Sequence, residues 1–306
     1  MTQNLYIVLH IYKTAGSSLR ANFACNFRGK AWLPLYPNVM QLDKSIGRVC
    51  PGWEIEETQR IRDFITQHTS SKTRCIFGHM AHVGIHNLVK ADVEPRYIVF
   101  LRNPVERCIS LYSYLQDEFT SKNNVPNIWR AELTNAGWSV EEWFEQSQAL
   151  WHHNGQVRQL LIGDYEDVFC ERELTRDHLE EAKKRLRQFW YIGLTDTFDD
   201  DSHYLYGKLG FTSYHLGLMV NRTSKKKEVS PETRQFIAGC NTLDVELYRY
   251  AEELRTQYIN RYARDFYFHK KKAARMRALH RTVSVGLKSA KKARGYIKLS
   301  KWSGAG

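Results

Sequence analysis

Leu5-Tyr6-Ile7-Val8-Leu9-His10-Ile11-Tyr12-Lys13-Thr14-Ala15-Gly16-Ser17-Ser18 begins as an apolar run and turns, around one lysine, into small and hydroxyl-bearing residues. The run reads as a short buried strand, and Leu19 to Phe27 reads as the helix that follows. A strand, a tight loop and a helix N-terminus together hold anions. The loop aims backbone N–H groups and the positive end of the helix dipole at one point. Lys13 adds a full charge, and Thr14, Ser17 and Ser18 add hydroxyl donors. Ala15 and Gly16 are small enough for the backbone to close around a phosphate or sulfate.

The lysine's position narrows the kind of anion site. A Walker A loop places Lys directly after its second glycine, whereas Lys13 precedes Gly16 by three positions. A nucleoside triphosphatase is therefore disfavoured. A second segment supports the same conclusion. Arg96 to Leu101 is an almost continuous apolar run of the parallel-strand type, followed by Arg102-Asn103-Pro104-Val105-Glu106-Arg107-Cys108-Ile109-Ser110. Asn103 can cap a helix that Pro104 starts. Arg102 then stands at the carboxyl end of a strand, the edge where open α/β sheets bind ligands, with Ser110 two turns into the helix. A strand serving magnesium would end in an acid, so Arg102 counts against a kinase as well. Arg107 and Glu106 read as structural or solvated ion-pair partners rather than ligands.

The order His-x-x-Lys-Thr-Ala-Gly-Ser-Ser resembles the 5′-phosphosulfate loop of sulfotransferases that use 3′-phosphoadenosine 5′-phosphosulfate (PAPS), in particular the carbohydrate branch that includes heparan sulfate 2-O-sulfotransferases. The pattern Arg-x-Pro-x-x-Arg-x-x-Ser resembles their 3′-phosphate motif, in which Arg102 and Ser110 would hold that phosphate. Asn154-Gly155-Gln156-Val157-Arg158 and Gly193-Leu194-Thr195-Asp196-x-Phe198 resemble two further family segments, with Asp196 in place of the usual Glu. Asn221-Arg222-Thr223-Ser224-Lys225 stands where these enzymes place a loop closing over the cofactor, which implicates Arg222 and Thr223. The resemblance implies PAPS as sulfuryl donor, held by Lys13, Thr14, Ala15, Gly16, Ser17, Ser18, Arg102, Ser110, Arg222 and Thr223. It also implies a P-loop-kinase-like sulfotransferase fold, a mainly parallel α/β sheet flanked by helices.

Sulfuryl transfer to a hydroxyl calls for a charge on the leaving phosphate and for a base near the acceptor. Lys13 suits the first. For the second, Gly78-His79-Met80-Ala81-His82 follows a predicted strand and resembles the Gly-His segment that supplies a catalytic histidine in the 2-O branch. His79 is the first candidate and His82 the second. The chemistry requires no metal, and His79, His82 and His86 lack carboxylate or thiolate companions. A carbohydrate is the expected acceptor.

Strands are expected near Leu5–His10, Arg74–Phe77, Arg96–Leu101 and Trp190–Leu194. Helices are expected near Ser17–Phe27, Glu54–Gln67, Pro104–Gln116, Val140–Ser147, His178–Arg187 and Pro231–Tyr258, with an irregular connection from Gly29 to Gly52. Their alternation implies a doubly wound sheet. The six scattered cysteines read as reduced core residues. The net charge of +12 is concentrated in residues 270–306, which carry twelve of the 45 basic residues and no acid; the remainder balances 33 basic against 33 acidic. The division expected is a sulfotransferase domain over 1–269 and a basic amphipathic tail over 270–306. In that tail Met276, Leu279, Val283, Leu287 and Ala290 form an apolar stripe, which suits an anionic membrane surface. With no signal peptide and no spanning segment in the sequence, a cytoplasmic enzyme, peripheral on the inner membrane face, is expected. The rival readings are a P-loop nucleotide kinase and a non-enzymatic protein that binds anions or nucleic acid; the neutral body speaks against specific nucleic-acid binding.

Overall fold

In the computed structural model, residues 2–36, 55–120, 137–147, 152–163, 173–212, 228–272 and 275 are described. The opening run is strand β1 (Gln3–Leu9), which leads into helix α1 (Gly16–Asn26). Leu5, Ile7 and Leu9 are buried in one core and Val8 in another, so β1 is covered on both faces. That is the condition under which a strand reads as a continuous apolar run.

The other strands are β2 (Trp32–Leu35), β3 (Cys75–Gly78), β4 (Val93–Leu101) and β5 (Tyr191–Leu194). All pair in parallel, in the order β2-β3-β1-β4-β5. Leu9 lies opposite Gly78 on one side and Val99 on the other. The carboxyl ends of β1, β3 and β4 therefore reach the same edge of the sheet, as the sequence expected of a parallel α/β fold.

Helices α2 (Ile55–His68), α3 (Pro104–Thr120), α4 (Val140–Gln146) and α5 (Gly155–Leu161) are followed by α6 (Arg176–Arg187) and α7 (Phe198–Lys208), and the described chain closes with α8 (Pro231–Cys240), α9 (Thr242–Arg261) and α10 (263–272). One face of the sheet packs on residues such as Ile61, Ile65, Ile109, Leu160 and Leu247. The other packs on Leu19 and Phe23 of α1 and on Tyr204 and Leu205 of α7.

Three expectations are corrected. The helix expected from Pro231 to Tyr258 is two, because Asn241 leaves the helical conformation (φ −125°, ψ 36°). Its Nδ2 donates to the Ile237 carbonyl and its Oδ1 accepts from the Asn154 N–H. The apolar periodicity on both sides hid this break. Strand β2 lies inside the stretch expected to be irregular. It is the edge strand, where Pro34 costs no interior ladder bond. Helices α5 and α7 were not anticipated, although the first turn of α7 carries Asp199, Asp200 and Asp201, acids that favour a helix N-terminus.

Among the described residues Cys25, Cys75, Cys108 and Cys240 are free thiols; Cys75 and Cys108 are core residues as expected, whereas Cys25 and Cys240 are only half-buried. Among the described residues no helix is long and apolar enough to cross a membrane. Helix α10 runs through the boundary drawn after His269. Arg222, Thr223 and the tail stripe from Met276 lie outside the described residues.

Candidate active site

The loop between β1 and α1 has two non-glycine residues in the left-handed region, Lys13 (φ 68°) and Ala15 (φ 63°). Such residues are costly and cluster at ligand-binding loops, where they turn successive N–H groups inward as a nest for an anion. No side-chain hydrogen bond caps α1, and its first turn starts directly at this loop. Gly16 is required by a close approach. A Cβ there would sit 1.8 Å from the His10 ring. His10 is thus loop scaffolding, its Nδ1 hydrogen-bonded to the Tyr36 hydroxyl at 2.8 Å.

Thr14 is buried, and its hydroxyl donates to the Ile11 carbonyl at 2.9 Å. It braces the loop from within instead of facing outward as a ligand donor. Ser18 is buried and Ser17 half-buried in the first turn of α1. The Lys13 ammonium lies 4.0 Å above the ring of Tyr114 on α3, a cation–π contact. Tyr114 follows Ser110 by one helical turn and shares its face.

Arg102 follows β4 and is half-buried. Its Nη1 donates to the Lys13 carbonyl at 3.1 Å, so the second motif buttresses the first. Burial lowers the guanidinium's pKa from its ordinary value, with Glu106 and Asp196 acting the other way. It remains a cation at any working pH.

His79 stands at the end of β3, stacked between two rings: Tyr12 at 3.8 Å between centroids and His10 at 4.1 Å. Its Nδ1 is 2.5 Å from the His10 carbonyl. A carbonyl only accepts, so Nδ1 carries the proton and Nε2 keeps its lone pair. Burial pushes the pKa down to about 4, opposed by the His10 carbonyl bond. His79 is therefore neutral near pH 7, in the tautomer a base needs. His82 bonds the Met80 carbonyl through Nδ1 at 2.9 Å and packs against Gly163, where a Cβ would lie 2.5 Å from its ring.

One short helix ties these strand ends together. On α5, the Gln156 side chain pairs with both backbone groups of Arg102, each at 2.9 Å, and Gln159 Nε2 donates to the His79 carbonyl at 2.7 Å. The amino end of α5 is held by Asp244 of α9, which accepts from the N–H groups of Gln156 (3.1 Å) and Val157 (2.9 Å). Arg107 lies 3.6 Å from Asp244, both buried, and its guanidinium rests where a Cβ on Gly155 would be. This bears out the structural reading of Arg107. Asn154 completes the knot by accepting from the N–H groups of Leu243 and Asp244. The Asn-x-Gln-x-Arg resemblance drew attention to Gln156 without a role; Gln159, Tyr12, Tyr114 and Asp244 went unremarked as site residues. Among the described residues no cluster of His, Cys, Asp or Glu converges as a metal site.

The loop lacks the Walker lysine and β4 is followed by Arg102 instead of an acid, so this edge does not carry the triphosphatase pattern. The sequence pattern of the sulfotransferase family matches residues 3–251, and the chain belongs to that family. Among its relatives, heparan-sulfate 6-O-sulfotransferase 2 of Homo sapiens is 31% identical over 186 residues, 52% of this chain and 29% of the relative. Heparan-sulfate 6-O-sulfotransferase 3 of Mus musculus is 30% identical over 179 residues, 52% of this chain and 37% of the relative. Heparan-sulfate 6-O-sulfotransferase 1 of Mus musculus is 29% identical over 177 residues, again 52% of this chain, and 43% of the relative. The chain spans less than half the length of each. These relatives are named for 6-O transfer, not for the 2-O transfer of the branch expected from the sequence. The reason is chemical: phosphate-binding motifs read the donor and carry no information about which acceptor hydroxyl is used.

Proposed function

We propose that this chain transfers a sulfuryl group from PAPS to a hydroxyl of a carbohydrate, and that the hydroxyl is a 6-position primary alcohol. One observation carries the reading. The anion-binding loop and His79, with its Nε2 lone pair available, lie on the same sheet edge, and the His10 carbonyl joins them. The donor supplies an activated sulfuryl group on a phosphate leaving group. Lys13 leaves the Tyr114 ring to meet the charge growing on that phosphate, while the nest N–H groups and Ser17 hold the rest of it. Arg102 and Ser110 hold the 3′-phosphate. His79 Nε2 takes the acceptor's proton as the new O–S bond forms. His79 is weakly basic by itself, and an anionic donor beside it raises its pKa toward the working range.

Support for the 6-position comes from the three relatives, whose names specify 6-O transfer to heparan sulfate. The test is transfer of radiolabel from PAPS to a desulfated heparan-type acceptor, beside the same acceptor blocked at its 6-hydroxyls. Label that enters the first and not the second supports the reading. Equal labelling of both would reject the 6-position, and ATP binding without PAPS binding would reject sulfuryl transfer.

A further inference from the structure

Helix α10 is docked by one side only. Phe266 is buried, with its ring 5.2 Å from that of Tyr204, and the His269 ring occupies the space a Cβ on Gly207 would need. Lys270 pairs with Asp200 of α7 at 2.6 Å. Where α9 gives way to α10, the ring of Tyr262 lies 5.2 Å from the Lys208 ammonium, which also contacts Trp190 and Tyr258. These contacts fix which face of α10 turns outward.

That outward face combines two features that seldom occur together on a merely solvated helix. Arg264, Phe268, Lys271 and Arg275 recur at intervals of three and four residues, one stripe of a helix, with Tyr267 and Lys272 at its flanks. All six are exposed, Tyr267 at 57% and Phe268 at 63%. The one acid of the helix, Asp265, acts on Lys208 and His269, toward the docked side. A solvated face has no use for two bare aromatic rings, and an apolar protein partner has no use for four cations around them. Cations flanking exposed aromatics match an anionic bilayer: the rings enter the headgroup boundary and the cations meet lipid phosphates. The charge continues in the sequence beyond Arg275, which carries Arg277, Arg281, Lys288, Lys291, Lys292, Arg294, Lys298 and Lys301 and no acid.

We infer that the outward face of α10 is a docking surface for an anionic lipid bilayer, with Tyr267 and Phe268 as the inserted groups and Arg264, Lys271, Lys272 and Arg275 as the phosphate partners. This surface is independent of the sulfuryl-transfer reading. It would hold the enzyme at a membrane and restrict it to acceptors presented there.

The test uses the full chain, vesicles of phosphatidylcholine with and without phosphatidylglycerol, and two paired variants, Tyr267→Ser with Phe268→Ser and Lys271→Gln with Lys272→Gln. Wild type should sediment with the anionic vesicles and not with the neutral ones. Each paired variant should lose roughly tenfold or more in vesicle affinity. Hydrogen exchange over 263–272 should slow when anionic vesicles are added. Activity on a small soluble acceptor should be unchanged in both variants, which separates failure of this surface from failure of the proposed reaction. Wild-type sedimentation by both variants would overturn the inference and assign binding to the sequence beyond Arg275. Retention on heparin without vesicle binding, or a dimer that the aromatic variant dissolves, would overturn it in favour of a polysaccharide or a second copy.

Discussion

The imidazole of His79 donates from Nδ1 to the backbone carbonyl of His10 at 2.5 Å, linking the end of β3 to the first residue of the anion loop. This bond selects the tautomer of His79 and aligns it with the loop in one step. His79→Ala should lower kcat by roughly 10²–10⁴-fold with near-normal PAPS affinity. His82→Ala, which removes the bond to the Met80 carbonyl and the packing against Gly163, should cost far less. The opposite ranking in steady-state assays would reassign the base.

The pH profile follows from the same group. Burial holds the His79 pKa at about 4. A base must be unprotonated, so the acid limb of kcat/KM, which reports free enzyme, should lie near 4 to 5 instead of the ordinary 6.5 of histidine. The acid limb of kcat should lie higher, because the bound donor's negative charge favours the protonated ring. Coincident limbs would show that the donor does not act on His79.

Lys13→Ala should abolish turnover and leave the circular dichroism spectrum unchanged, since the half-buried Lys13 side chain lies against the Tyr114 face at the loop and not in the core. Arg102→Ala and Ser110→Ala should act on donor affinity instead, a charge-assisted contact being worth about 1.5–3 kcal/mol. Calorimetric titration of PAPS against its 3′-dephospho analogue decides the point. Equal affinities in the wild type would remove the 3′-phosphate role.

Gln156 and Gln159 should separate kinetically although they lie one turn apart. Gln156→Ala unpairs the backbone of Arg102 and should raise the KM for PAPS. Gln159→Ala unpairs the His79 carbonyl and should lower kcat, each by about tenfold, within the 1–3 kcal/mol of an unsatisfied buried group. The same loss in both parameters for both variants would reduce them to packing residues.

Asp244→Ala leaves Arg107 buried without its anion and frees the N–H groups of Gln156 and Val157. Stability in urea should fall by about 3–5 kcal/mol, and the double variant Arg107→Met with Asp244→Leu should recover part of it. A loss below 1 kcal/mol, the range of an exposed pair, would mean the network is relaxed elsewhere.

Acid should begin to destabilise the protein before its carboxylates titrate. His10, His79 and His152 all have pKa values lowered by burial. The unfolded chain takes up protons near pH 6.5 that the folded chain refuses. Stability is therefore complete above about 6.5 and is lost as pH falls toward 4, by about 1.4 kcal/mol per pH unit for each proton. Urea midpoints at pH 7 and pH 5 measure the slope. A flat profile would contradict the burial of these rings.

The apolar runs of β1 and β4, the Lys13 loop and Arg102 after its strand were legible from local order alone. A buried parallel strand needs a continuous apolar run, and an anion loop needs small residues and a cation next to it. For the same reason the strand-end position of His79 could be read. Its tautomer could not, because the carbonyl that sets it is sixty-nine residues away in sequence. Only the tertiary structure brought Gln156, Gln159 and Asp244 to the strand ends, spent the Thr14 hydroxyl inside the loop and laid Lys13 on Tyr114. Buried polar groups must find partners wherever the fold supplies them, and those partners lie far along the chain, beyond the reach of periodicity and spacing.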